Sequence, residues 1–251
     1  MPALTAERRA AITRMVAEEG AVHVRELATH FGVNAATIRR DLKVLEEQGR
    51  VRRVRGGAVP VAEVAAESTA GLPETQAVRI GQAVAEMVAD GETVFLSPGR
   101  LPLEVVRCLS AHSRLTIVTS GLGVAHWVAV NTSHTLIVTG GQVEGRGLGL
   151  AGQLTRVALS SLRADHVILE LGGVSAVDGL TDDSLPQAEI AQRLLEIGSQ
   201  VIVLVPAERV GRVAAAYIAP VSEADVIVTA REVHSSFLWD LSEAGVRIVL
   251  A

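Results

Sequence analysis

Cysteine is nearly absent from this sequence. Its 251 residues contain a single one, Cys108, which excludes an intrachain disulfide and a thiolate-held metal cluster. Aromatic residues make up only 2% of the chain, so a core must be packed from the Val, Leu, Ile and Ala that dominate its 49% hydrophobic content. No apolar run approaches the roughly 18 residues that a membrane-spanning helix requires. The opening MPALTAERRAAITRMVAEEG mixes charged with apolar residues and lacks the continuous apolar stretch of a signal peptide. The seven histidines are scattered without ligand spacing, so neither a metal nor a cofactor is implied. Together these absences predict a soluble, cytoplasmic protein with no membrane partner.

What is present is unevenly spread. Residues 1–60 hold eleven Lys and Arg against seven Asp and Glu, a balance of +4, whereas residues 61–251 hold twelve against twenty-one, a balance of −9. A small basic module joined to a larger acidic one suits a nucleic-acid reader with a separate partner domain. The expected division is a DNA-binding domain over residues 1–60, a linker over 61–75 and an effector-sensing, oligomerising domain over 76–251.

The basic module has a readable order. Residues 5–19 form an amphipathic helical pattern, VHVRELATHFGV supplies a short helix near 24–31 stopped by Gly32, and a third helix begins after Asn34, whose side-chain oxygen suits an N-cap. At roughly 100° per residue, Ile38, Leu42 and Leu45 share one buried sector of that third helix. Ala36, Arg40, Lys43 and Glu47 lie opposite, with Arg39 on the flank. A small or cationic outer face is what a helix entering a major groove requires. The next stretch, RVRRVRGGAV, alternates Val51 and Val54 with arginines and turns at Gly56-Gly57, predicting a hairpin wing. An arginine run on most proteins is only a solvated surface. Here run, helix and hairpin occur in order within one short module, which favours phosphate neutralisation. Arg39 and Arg40 are the candidates for base or nearby phosphate contact, Lys43, Arg52, Arg53 and Arg55 for phosphate, with Asn34, Ala36 and Thr37 at the helix start.

VHVRELATHFGV, VNAATIRRDLKVLEEQG and VRRVRGGA together resemble the winged helix-turn-helix of the DeoR family of bacterial transcriptional regulators, with Asn34 where that family usually has serine. The resemblance implies a DNA-binding regulator, a repressor acting on a double-stranded operator. One winged helix reads only a few base pairs, so a homo-oligomer, dimer or tetramer, is expected.

Beyond the linker, Val/Ile/Leu strands at 93–96, 115–119, 134–139, 166–171, 200–205, 225–229 and 246–250 alternate with helical patterns. Such alternation predicts an α/β domain with a mostly parallel sheet covered on both faces. In these sheets ligands sit beyond the carboxyl ends of strands. The loops there hold Ser97, Gly99 and Arg100; Thr119, Ser120 and Gly121; Gly140 and Gly141; Gly172, Gly173, Asp178 and Thr181; and Arg209. Glycines and hydroxyls let backbone N–H groups approach an anion. The order resembles the DeoR-family effector domain, similar in fold to sugar-phosphate isomerases and coenzyme A transferases. That resemblance implies a phosphorylated sugar or another small anionic metabolite as effector. The sequence departs from the family in its ligand loops: Ser97-Pro98-Gly99-Arg100-Leu101 replaces Asp-Ser-Gly-Thr-Thr, Glu170-Leu171-Gly172-Gly173 replaces Gly-Ala-Asp-Gly, and Pro206-Ala207-Glu208-Arg209 replaces Asp-x-Ser/Thr-Lys. The effector is therefore left open between a phosphorylated sugar, a different ligand and none.

Other motifs carry less. GLGLAG, residues 147–152, matches a dinucleotide fingerprint but follows its strand too late, and reads as a flexible loop over the pocket. Ser120 and Ser175 lack the flanking glycines of a nucleophile elbow. Asp182-Asp183 reads as a capped helix start and Cys108 as a core thiol. The rival function is a sugar-phosphate isomerase-like enzyme with an accessory DNA-binding module, its acids drawn from Glu170, Asp178, Asp182 and Glu189. That reading requires those carboxylates to converge in one pocket.

Overall fold

A computed structural model describes residues 5–19, 22–47, 50–54, 56–60, 74–144 and 147–251. The chain divides into two compact units, Met1–Val64 and Ala65–Ala251. The expected linker falls mainly on residues 61–73, outside the described residues, and the first helix of the second unit already begins at Glu74.

In the first unit, α1 (Thr5–Glu19), α2 (Val24–Phe31) and α3 (Ala35–Glu47) pack with β1 (Val22–His23), β2 (Val51–Val54) and β3 (Gly57–Pro60). The strands form an antiparallel sheet in the order β1-β3-β2. Ile12, Leu27, Ile38, Leu42 and Leu45 are fully buried, each contributing on the order of 1.5–3 kcal/mol by leaving water. Gly32 ends α2 in the left-handed conformation at φ 61°, its N–H donating back to Ala28 and Thr29 carbonyls. The two-residue β1 was too short to show a period in the sequence. It closes on β3 because Gly57 has no side chain: a Cβ there would collide with the Val22 carbonyl oxygen.

The second unit is built on seven parallel strands in the order β15-β14-β12-β9-β4-β5-β6. These are β4 (Thr93–Leu96), β5 (Thr116–Thr119), β6 (Thr135–Val138), β9 (Ala164–Glu170), β12 (Gly198–Leu204), β14 (Val226–Thr229) and β15 (Arg247–Leu250). Successive strand residues point to opposite faces and build two separate cores. Val94, Leu96, Ile168, Ile202 and Leu204 pack with α4 (Glu74–Ala85), α5 (Arg100–Leu109) and α6 (Leu122–Asn131). Phe95, Val167, Leu169 and Val203 pack on the other face with α7 (Gln153–Ser160), α8 (Leu185–Leu195) and α9 (Ser235–Glu243). That second face also carries a small antiparallel sheet of β10 (Gly173–Ser175), β11 (Gly179–Asp182) and β13 (Ala216–Ala219).

From β4 the chain runs outward one way to β5 and β6, and from β9 it runs the other way to β12, β14 and β15. The strand order reverses between β4 and β9, so the carboxyl ends at Leu96 and Glu170 flank the crevice in which such sheets bind ligands. The expected flexible loop at 147–152 is corrected: Gly149–Ala151 is β8, paired with β7 (Gln142–Glu144), and all three of its residues are buried. Leu150 N–H donates to the Ser120 carbonyl at 2.7 Å, and Gly149 lies against Pro98 and Gln187, which holds the segment down.

Candidate functional site

In the first unit the candidate site is the outer face of α3 with the wing. Asn34 caps α3, its Oδ1 accepting from the Thr37 N–H at 2.8 Å and the Thr37 hydroxyl at 2.9 Å. These two residues therefore set where the helix starts. Ala36, Arg39, Arg40 and Lys43 are exposed on α3. Between the cations sits a residue that the sequence reading passed over. Asp41 is buried, and its carboxylate accepts from Arg8 Nε at 2.7 Å and Arg9 Nε at 2.8 Å, tying α1 to α3. Arg8 and Arg9 of α1 thus serve packing.

The wing is β2–β3. Arg53 is exposed, its backbone N–H donates to Glu46 Oε1 at 3.0 Å, and its guanidinium lies 3.6 Å from Glu46 Oε2. Glu46 therefore fastens the wing to the end of α3. Arg55 and the side chain of Arg52 lie outside the described residues.

In the second unit the candidate residues are mostly turned inward. Thr119 donates its hydroxyl to the Leu96 carbonyl and accepts from the Gly121 N–H. Thr181 donates to the Gly173 carbonyl and accepts from the Ala214 N–H. Gly121 meets Pro98; Gly141 meets Thr155 and Ala151; Gly172 meets Asp182 and Asp183; Gly173 meets Arg212. The Gly140 carbonyl accepts from the Thr155 hydroxyl at 2.7 Å. Gly121, Gly141, Gly172 and Gly173, expected to admit an anion, thus stand where the chain closely approaches itself, whereas a Cβ on Gly140 would meet nothing. Asp178 is exposed in the turn of the β10–β11 hairpin and accepts from the Ser175 hydroxyl at 3.1 Å, apart from the β4/β9 crevice. The Asp182-Asp183 pair divides its work. Asp182 accepts from the Ser184 N–H, while Asp183 pairs with Arg212 and leaves the capping of α8 to Ser184. Cys108 is half-buried, and burial pushes its thiol pKa up.

At the crevice itself Ser97, Gly99, Arg100 and Arg209 do come together, around Glu170. Ser97 Oγ accepts from the Glu170 N–H at 2.9 Å. The Glu170 carboxylate accepts from the Leu101 N–H at 2.9 Å and from the Arg100 N–H, at the start of α5. Arg209 Nη1 lies 3.5 Å from Glu170 Oε1 and donates to the Leu171 carbonyl at 3.1 Å. Burial pushes the Glu170 pKa above the ordinary carboxylate range, against the two amides and Arg209 that pull it down. Burial likewise raises Asp182, whereas the Arg212 guanidinium holds Asp183 low. Ser120 Oγ and Gln187 Nε2 are buried without hydrogen-bond partners beside this loop. Glu170 was legible as a departure from a family loop and as a candidate acid of the rival reading; its place on the α5 amides depends on the β4/β9 pairing.

Of the four acids of the rival enzyme reading, only Glu170 and Asp182 come near one another, both facing Arg209 and each with a pKa raised by burial; the other two stand apart. Glu170 is buried in the crevice, Asp178 is in an exposed turn, and Glu189 is exposed on α8, 3.8 Å from Arg156. Glu189 lines a separate groove of about 620 Å³ between α7, α8 and β13 that none of the candidate sensing residues reaches. Among the described residues no group of three or more His, Cys, Asp or Glu could hold a metal, and no helix is long and apolar enough to cross a membrane.

Comparison with known proteins meets this geometry in both units. The family model for the DeoR-like helix-turn-helix domain matches residues 8–64, and that for the DeoR C terminal sensor domain matches residues 74–231. The glycerol-3-phosphate regulon repressor of Escherichia coli (strain K12) is 30% identical over 247 residues, spanning 97% of this chain and 98% of the relative. The transcriptional repressor AccR of Agrobacterium fabrum is 29% identical over 230 residues, spanning 90% and 89%. A solved ribose 5-phosphate isomerase from Methanocaldococcus jannaschii matches at 11% identity over 54% of each chain with a TM-score of 0.40. A cationic helix and wing followed by a switch-point α/β unit, matched by both family models and over 97% of the chain by a relative 30% identical, place the chain in the DeoR family of transcriptional regulators.

Proposed function

We propose that this chain is a repressor that binds a specific duplex operator through α3 and the wing, works as a dimer or tetramer in the cytoplasm, and has no catalytic activity of its own. Arg39 and Arg40 read bases or adjacent phosphates, while Lys43, Arg52, Arg53 and Arg55 neutralise phosphates. The observation that carries this reading is the exposed α3 face of Ala36, Arg39, Arg40 and Lys43 beside the wing. A small residue at the start of that face lets the helix backbone approach base edges, and cations further along meet the phosphate walls. The second unit senses a phosphorylated sugar or related small anionic metabolite at the β4/β9 crevice. The name of the Escherichia coli relative, which refers to a glycerol-3-phosphate regulon, supports a phosphorylated effector. Binding there changes how the DNA-reading units of an oligomer are presented, and so shifts operator affinity.

The experiment is a salt titration of binding to duplex fragments from the chain's own genomic neighbourhood. Affinity should fall steeply and linearly on a log–log plot, with one fragment bound far more tightly than bulk DNA. Affinity for no fragment at any salt concentration would end the reading.

A further inference from the structure

The N-terminus of α5 projects into the crevice where the strand order reverses, the place where an α/β sheet offers backbone amides to a ligand anion. Gly99 precedes the helix at φ 146° and supplies no side-chain cap. The amides are nevertheless occupied. The Glu170 carboxylate reaches across from the end of β9 and accepts from the N–H groups of Arg100 and Leu101. A Cβ on Gly99 would collide with Glu170 Oε2, so glycine at 99 is what admits the carboxylate.

This carboxylate is poorly suited to being a permanent structural cap. Its side chain is 3% exposed, its Oε1 has no hydrogen-bond partner, and Arg209 stands 3.5 Å away, beyond a normal hydrogen bond. A buried charge with one oxygen held only by a long ion pair is costly, and its neighbourhood of two helix amides and a guanidinium would hold a better-matched anion more tightly. A Glu side chain offers two oxygens on one charge; a phosphate offers three and more charge. Ser120 Oγ and Gln187 Nε2, both buried and unpartnered, leave further hydrogen-bonding capacity at the Pro98–Gly121–Gly149 side of the same loop.

We propose that Glu170 is a tethered competitor for this anion subsite: the resting sensing domain holds its own carboxylate on the α5 amides, and a ligand phosphate binds there only by displacing it. Glu170 thereby sets the concentration of effector at which the domain responds. The inference rests on the reading of the crevice as the sensing site. Like charges this close cannot both remain on the same amides, so removing the carboxylate should tighten phosphate binding by about tenfold or more.

The test uses the full chain and inorganic phosphate, titrated by calorimetry without DNA. Affinity should rise in the order wild type, Glu170→Gln, Glu170→Gly. Gln loses the charge but keeps an oxygen on the amides, and Gly vacates the subsite. Arg209→Ala in the Glu170→Gly background should abolish the gain, which locates the ion at this site. Thermal melts show whether each variant is folded, and the nearly isosteric Gln variant carries the test if Gly is not. Equal affinity in wild type and the folded variants, or no binding by any of them, overturns the proposal. Release of the wild-type chain from its operator by phosphorylated metabolites is measured separately, so failure of the sensing reading is distinguishable from failure of the competitor.

Discussion

The two units treat their charged residues in opposite ways. In the first, Arg39, Arg40 and Lys43 are exposed on α3, and the buried carboxylate, Asp41, braces the helix that carries them. In the second, Glu170 and Arg209 are folded into the crevice, and the loops around them are held by the chain's own amides and carbonyls. A surface that meets a polyanion needs cations in water, where they are cheaply solvated until phosphate replaces solvent. A pocket that holds a small ligand needs preorganised groups, and their desolvation must be offset internally until the ligand arrives.

This contrast is breakable, and the largest effect is expected at Asp41. Asp41→Ala leaves the buried Arg8 without its carboxylate, and removal of one partner of a buried pair costs about 3–5 kcal/mol. Urea unfolding of the full chain should show an early transition accompanied by loss of DNA binding; an unchanged midpoint would mean that α1 and α3 do not depend on the pair.

Arg40→Ala should cost about 1–3 kcal/mol on the specific operator and much less on bulk DNA if the side chain reads a base. Equal weakening on every sequence makes it a phosphate contact, and a competition assay with both DNAs decides.

In the second unit the expected signature is pH. The pKa values of Glu170 and Asp182 are raised by burial, so the folded chain holds protons that the unfolded chain has released. Their protonated forms favour folding fully below the unfolded values, about 3.9 for Asp and about 4.3 for Glu, and that contribution is lost as pH rises through the raised folded values. Asp183, held low by Arg212, works oppositely: its contribution is present above the usual carboxylate range and is lost as pH falls. Glu170→Gln should flatten the decline on the rising side, read from melts of the two proteins across that window; an unaltered slope would assign it elsewhere.

The smallest effect is at the wing. Arg53 shares its guanidinium with Glu46, both side chains being 41% exposed, and such surface pairs are worth about 0–1 kcal/mol. Glu46→Gln should tighten DNA binding by a few-fold at most, because Arg53 then meets phosphate without an internal rival. Arg53→Ala should lower the salt slope by about one counterion. A slope that does not move takes Arg53 out of the interface.

The helices and parallel strands were legible because their signals are local. The 38, 42, 45 spacing marks one face of α3, and the Val/Ile/Leu runs of β4, β9 and β12 mark strands buried on both sides. The short pieces β1, β7, β8, β10, β11 and β13 were not legible. The first four have two or three residues, too few for a period, and GLTD and AYIA lack the Val/Ile/Leu run that marks β4; all pair only because distant segments are brought beside them. What the loop glycines pack against was not legible for the same reason. Gly141 and Gly173 show in sequence only that a side chain is missing, and the atoms that fill the space, from Thr155 and Arg212, lie 14 and 39 residues away.

The sequence by itself determined the kind of surface this protein presents to DNA, because helical period and the signs of nearby charges are short-range properties of a chain. Tertiary structure alone decided what stands at the β4/β9 crevice. Glu170 and the α5 amides are about seventy positions apart, and only the parallel pairing of β9 with β4 carries that carboxylate across to Arg100 and Leu101.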